Sequence, residues 1–139
     1  MNRPDFRNLA LTRLQDAQAL LAKRRFSAAY YLAGYAVECA LKACVAKKTK
    51  RHDFPPEPDF VRRDCYTHDL ERLLKTNGLD GIFRKRVTGD PSFAENWSIV
   101  QDWSEESRYD THSAYEAKRL LVAIVDATNG VLECIKPYW

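Results

Sequence analysis

Two arginine–histidine pairs are the parts of this sequence best suited to chemistry on a phosphodiester. Arg63 precedes His68 with four residues between, and Arg108 precedes His112 with three between. A planar guanidinium can hold two phosphate oxygens at once, and a histidine can move the proton of a ribose 2′-hydroxyl, so such a pair suits RNA cleavage without a metal. His68 also has a plainer reading, as a turn or capping residue of the helix that follows it. Other chemistries find no footing: the sequence has no glycine-rich phosphate loop, no G-x-S-x-G elbow and no H-E-x-x-H. The four cysteines, Cys39, Cys44, Cys65 and Cys134, form no C-x-x-C pair, so neither a zinc site nor a bound cofactor is expected.

The element that must position these residues is the run from Phe26 to Ala46, FSAAYYLAGYAVECALKACVA, which is apolar on almost every side. A helix apolar all round has to be buried among other helices, and its alanines and Gly34 let those neighbours approach closely. Two charges interrupt it. Glu38 and Lys42 stand four apart with the acid nearer the N-terminus, the favourable order for a pair on one helix face. They read either as an ordinary pair at a wet seam or as a polar spot kept for a ligand or a partner. Cys39, Cys44 and Cys134 fall in apolar patterns, where reduced cysteine behaves as a small buried hydrophobe.

A first helix is predicted from about Pro4 to Lys23, with Phe6, Ala10, Leu14, Ala17 and Leu21 as one stripe, antiparallel to the central helix across a very short turn. Basic residues follow both helices: Lys23, Arg24 and Arg25, then Lys47, Lys48, Lys50 and Arg51. They serve either as solvated helix ends facing the negative pole of the dipole or as a phosphate-facing patch. Residues 52–66 hold three prolines and read as a stiff loop. Thr67 is expected to cap a short helix through Leu70, Leu73 and Leu74 that stops at Gly78, and residues 79–90 to form an exposed connector. Asp90 and Pro91 open the next helix, through Phe93, Trp97, Val100 and Trp103, whose two tryptophans signal heavy burial or an interface. Ser113 and Glu116 form a capping box for a last helix running through Ala117, Leu121, Ile124, Thr128, Val131 and Ile135 to Pro137.

No alternating strand pattern occurs, so the expected fold is all-α: an up-and-down four-helix bundle with one short extra helix, in a single domain over residues 1–139. With 45% hydrophobic and 29% charged residues the composition is that of a soluble globular chain. A net charge of +3 permits contact with nucleic acid or nucleotides without demanding it. Glu38 and Lys42 break the longest apolar run, which argues against a membrane span, and the first residues lack the apolar middle of a signal peptide. A cytoplasmic location is expected.

Three blocks in order, AAYYLAGYAVECALKA, YTHDLERLL and WSIVQDWSEESRYD, resemble the HEPN family of small helical proteins. That resemblance covers roughly Leu9 to Ile135. It implies a helical bundle that dimerises, often encoded beside a minimal nucleotidyltransferase in toxin–antitoxin-like pairs. Many members are metal-independent RNases built on an arginine, four to six residues and a histidine near the start of the last long helix. Here Arg108 occupies that region but His112 comes one residue early, while Arg63 and His68 have the spacing and precede the short helix. The chain looks more like a branch whose hallmark residues match Tyr66, Thr67, His68 and Asp69 together with Trp103, Arg108 and Tyr109, some relatives of which are proposed to bind nucleotides. On that reading Glu38, Lys42, Tyr66, His68, Asp69, Trp103, Arg108 and Tyr109 gather around a nucleotide or RNA phosphate. In the alternative, Arg108 pairs with Asp69 or Glu38 inside the bundle and Trp103 fills the core.

Overall fold

A computed structural model describes residues 1–48 and 65–139 and, among them, folds the chain into seven α-helices without a strand. Asn2 starts α1 (Arg3–Ala22): its side chain accepts from the Asp5 amide at 3.0 Å, and Asp5 accepts from the Asn2 amide at 2.9 Å. Phe6, Ala10, Leu14 and Ala17 form its buried stripe. The turn into α2 (Phe26–Lys47) is closed by the Arg24 and Arg25 amides, which donate to the carbonyls of Leu21 at 3.0 Å and Leu20 at 2.8 Å. Arg24 sits there at φ 60°, a left-handed position that glycine would occupy without strain.

The next elements are α3 (Leu70–Thr76), α4 (Asp80–Gly89), α5 (Pro91–Gln101), a 3-10 helix (Glu105–Tyr109), α6 (Ala114–Val125), α7 (Val131–Ile135) and a closing 3-10 turn (Lys136–Tyr138). α2 is enclosed as its composition demands, packed by α1, α3, α6, α7 and the first 3-10 helix. From Gly34 to Ala46 every residue but Tyr35 is buried. A Cβ at Gly34 would lie 2.2 Å from the Trp103 ring, so the missing side chain is what seats that indole against α2. Burial pushes the thiols of Cys39 and Cys44 up to about 12, which leaves them protonated and inert. Among the described residues, no helix is long and apolar enough to cross a membrane.

Four expectations change. Residues 79–90 are not a connector, because α4 occupies them. Its glycines, Gly81 and Gly89, lie at its two ends, and Leu79, Phe83 and Val87 recur every fourth residue toward the core. Phe83 meets the edges of Phe93 at 5.4 Å and Trp97 at 5.0 Å. The last helix is not continuous. It breaks after Val125, where Asp126 accepts from the Asn129 amide at 2.7 Å, and a Cβ on Gly130 would stand 2.4 Å from the Asp126 carbonyl oxygen. Carbonyls freed by the break are taken by neighbours: Arg86 donates to Thr128 at 2.7 Å and Asn96 to Asn129 at 2.9 Å. Asp69, not Thr67, caps α3 by accepting from the Arg72 amide, while Thr67 accepts one step earlier, from the Asp69 amide. With α4 and α7 added, four main helices and one short one are too few. The proline-rich segment, with Lys50, Arg51 and Arg63, lies outside the described residues.

Gly34→Ala is expected to destabilise the protein by about 1–3 kcal/mol, since the added methyl would overlap the Trp103 ring and force it to shift. Urea unfolding measures this, and a change within about 0.5 kcal/mol, the range of an ordinary surface substitution, would show that the indole is not seated there.

Candidate functional site

Glu38 lies halfway along α2 with its side chain 1% exposed. A carboxylate so placed needs cations or donors, and it has two. Lys42 Nζ donates to Oε1 at 2.8 Å from the next turn of the same helix. His68, just before α3, places Nδ1 2.9 Å from the same oxygen and turns Nε2 to Glu105 Oε2 at 3.2 Å. His68 therefore bridges α2 and the 3-10 helix, which is more than a cap for the short helix. Oε2 of Glu38 and Nε1 of Trp103 are buried without a partner among the described residues.

Arg108 does not enter the bundle, and its partner is not Glu38 or Asp69. It is exposed, with its guanidinium 5.0 Å over the ring of Tyr109, which raises its pKa further. Asp69 is occupied as the α3 cap, and Tyr66 and Tyr109 are both exposed. The proposed nucleotide-binding set thus divides. Glu38, Lys42 and His68 form one connected network with Trp103 beside it, and Arg108 with Tyr109 forms a separate exposed pair.

His112 is held on every side but one. Its ring stacks on Tyr30 at 3.7 Å with 13° between planes, and its backbone amide donates to Ser27 Oγ at 2.9 Å. Nδ1 lies 2.9 Å from Glu116 Oε2, and the other oxygen of Glu116 accepts from the Ser113 amide and hydroxyl at the start of α6. Those contacts, His112 first, hold the Glu116 carboxyl below the usual carboxylate range. Nε2 has no partner. Together with Arg24, Arg25, Phe26, Ser27 and Ala28, the ring lines a notch of about 390 Å3 at the start of α2, a helix end with no side-chain cap. A helix start without a side-chain cap favours an anion at its first amides. Sequence reasoning placed His112 beside Arg108. The structure brings it to Arg24 and Arg25 instead, residues noticed in the sequence only as a basic run.

Lys42→Ala should destabilise the fold by about 3–5 kcal/mol by leaving a buried carboxylate short of its cation, whereas Glu38→Gln with Lys42→Met should cost far less. Urea denaturation separates them, and near-neutral behaviour of Lys42→Ala would show that the pair is solvated. The Glu116 contribution has a definite sign. Its folded pKa is lowered, so its stabilisation is complete above the ordinary carboxylate pKa and disappears as pH falls through the lowered value. Glu116→Gln should flatten the acid limb of thermal stability against pH, and an unaltered limb would contradict the contact.

No curated protein and no solved structure gives a significant match to this chain. The family model of the HEPN domain matches residues 4–58, which include nearly all of α1 and the whole of α2. Tyr30 and Ser27, which seat His112, and Glu38 and Lys42 fall inside that match; His68, Trp103, Arg108 and His112 lie beyond it.

Proposed function

We propose that this protein binds the phosphate of RNA or of a nucleotide in the notch at the start of α2. The observation that carries this reading is the state of His112. A ring stacked on Tyr30 and fixed at Nδ1 by Glu116, its Nε2 buried and unpartnered among the described residues, stands beside Arg24 and Arg25 as an oriented group for a phosphate that enters the notch and uncovers it. Arg108 and Tyr109 offer an exposed guanidinium and aromatic face on the segment just before His112, suited to the sugar or base of the same strand. In keeping with the HEPN resemblance, the protein acts in the cytoplasm as a dimer, with a minimal nucleotidyltransferase as partner in a toxin–antitoxin-like pair.

A second reading, metal-independent RNA cleavage, is favoured by one feature. The Glu116–His112 contact selects a tautomer, so that Nε2, buried in the free protein, can exchange a proton with a 2′-hydroxyl once an entering strand uncovers it. Labelled single-stranded RNA in EDTA separates the two: cleavage abolished by His112→Gln establishes the nuclease, and intact RNA leaves binding alone.

Fluorescence anisotropy with the same RNA tests binding. Arg25→Ala and His112→Gln should each weaken it about tenfold, near 1.4 kcal/mol, with a steep salt dependence in the native protein. Full affinity in both variants would remove the notch from consideration. Arg24→Gly has opposite effects on two readouts. It should weaken RNA binding while raising stability by about 1 kcal/mol, because glycine adopts φ 60° without strain.

A further inference from the structure

His68 makes a contact at each nitrogen of its ring, and the two partners differ in what they can give up. Nδ1 lies 2.9 Å from Glu38 Oε1, and Nε2 lies 3.2 Å from Glu105 Oε2. An ionised carboxylate only accepts, so each contact needs a proton on the nitrogen, and a neutral imidazole carries one where two are required. With both protons the ring joins α2 to the 3-10 helix. With one, a lone pair faces a carboxylate oxygen and that contact opens.

Burial decides which contact that is. The Glu38 side chain is 1% exposed and its second oxygen is unpartnered among the described residues, so losing His68 would leave it Lys42 alone. Glu105 is 37% exposed and can turn to water. The remaining proton therefore stays on Nδ1. His68 also forms part of the wall of an acidic cleft of about 530 Å3 between the start of α3 and the 3-10 helix, with no lysine or arginine among its described lining residues. The charged groups around the ring are thus Glu38 and Lys42 from α2, Glu105 and Glu106 from the 3-10 helix, and Asp69 and Glu71 from the start of α3. Among the described residues, the Glu105 contact is the hydrogen bond or ion pair that ties a side chain of the 3-10 helix to another element; Ser107 bonds back to Ser104, and Arg108 lies over Tyr109.

We propose that His68 is a pH-sensitive latch, spanning α2 and the 3-10 helix while both ring nitrogens carry protons and releasing Glu105, but not Glu38, when one proton is lost. That proton leaves Nε2 for solvent, which a side chain 45% exposed allows. The latch is closed in mild acid and opens as pH rises through the titration of the ring. Arg108 and Tyr109 sit at the far end of the same 3-10 helix, so the latch governs how that exposed pair is held. It needs no ligand, and it stands or falls apart from the phosphate reading of the notch.

NMR of the whole chain without RNA, from about pH 5 to about pH 9, tests it. At the acid end both His68 ring nitrogens should carry protons, and at the alkaline end only Nδ1 should. In the same step the amide signals of Glu105 to Tyr109 should move. Exchange protection of the Ser107 and Asp110 amides, corrected for the pH dependence of intrinsic exchange, should fall about two- to tenfold. Glu105→Gln supplies an amide that can accept from a protonated Nε2 or donate to a bare one, so it should remove the step from the 3-10 helix while His68 still titrates. A neutral ring with its proton on Nε2, a 3-10 helix indifferent to the titration, or an undiminished step in Glu105→Gln would overturn the latch.

Discussion

A carboxylate in the middle of a buried, alanine-rich helix cannot stand alone. Removing Glu38 from water costs several kcal/mol, which only close, well-aligned partners offset. Lys42 comes from the same helix, but His68 arrives from the far side of the segment that follows α2. The requirement for a second partner thus fixes where the start of α3 must lie, and through His68 and Glu105 it fixes the 3-10 helix as well. The elements that wall the acidic cleft are placed by the need to neutralise one charge.

Small residues determine the rest. Every alanine of α2 beyond its first turn is fully buried, which lets α1 lie close along its length. Gly34 extends this to the other side, where Trp103 takes the place of the missing side chain. At the helix start, the aromatic Tyr30 receives the His112 ring instead. The notch at one end of α2 and the cleft beside its middle are thereby mounted on a single rigid element. They differ in charge, basic at Arg24 and Arg25 and acidic at Glu71 and Glu106.

Much of this was legible in the sequence, for identifiable reasons. The enclosure of α2 follows from its apolar periphery, and the starts of α1, α5 and α6 follow from proline and capping patterns whose geometry is local. α4 was hidden because two glycines suggested a loop, although Leu79, Phe83 and Val87 at intervals of four were the signal to follow. The break between α6 and α7 was hidden because its apolar spacing runs on undisturbed. The link after α6 combines a local contact, Asp126 with the Asn129 amide, with non-local ones from Arg86 and Asn96 that no window of sequence contains. The site was less legible still. Spacing suggested pairing each histidine with an arginine nearby in sequence, but His112 is fixed by Tyr30 and Ser27, more than eighty residues earlier, and His68 by Glu38 and Glu105.

The proposed binding at the notch makes His112, and not His68, the histidine expected to respond to RNA. The direct measurement is nitrogen-15 NMR of the ring nitrogens during titration with a short single-stranded RNA. The expected result is a shift of His112 Nε2 at the lowest RNA concentrations, with Nδ1 retaining its contact to Glu116 and the His68 signals unmoved. A response confined to His68, or none at either ring while RNA is bound, would contradict the placement of phosphate at the start of α2.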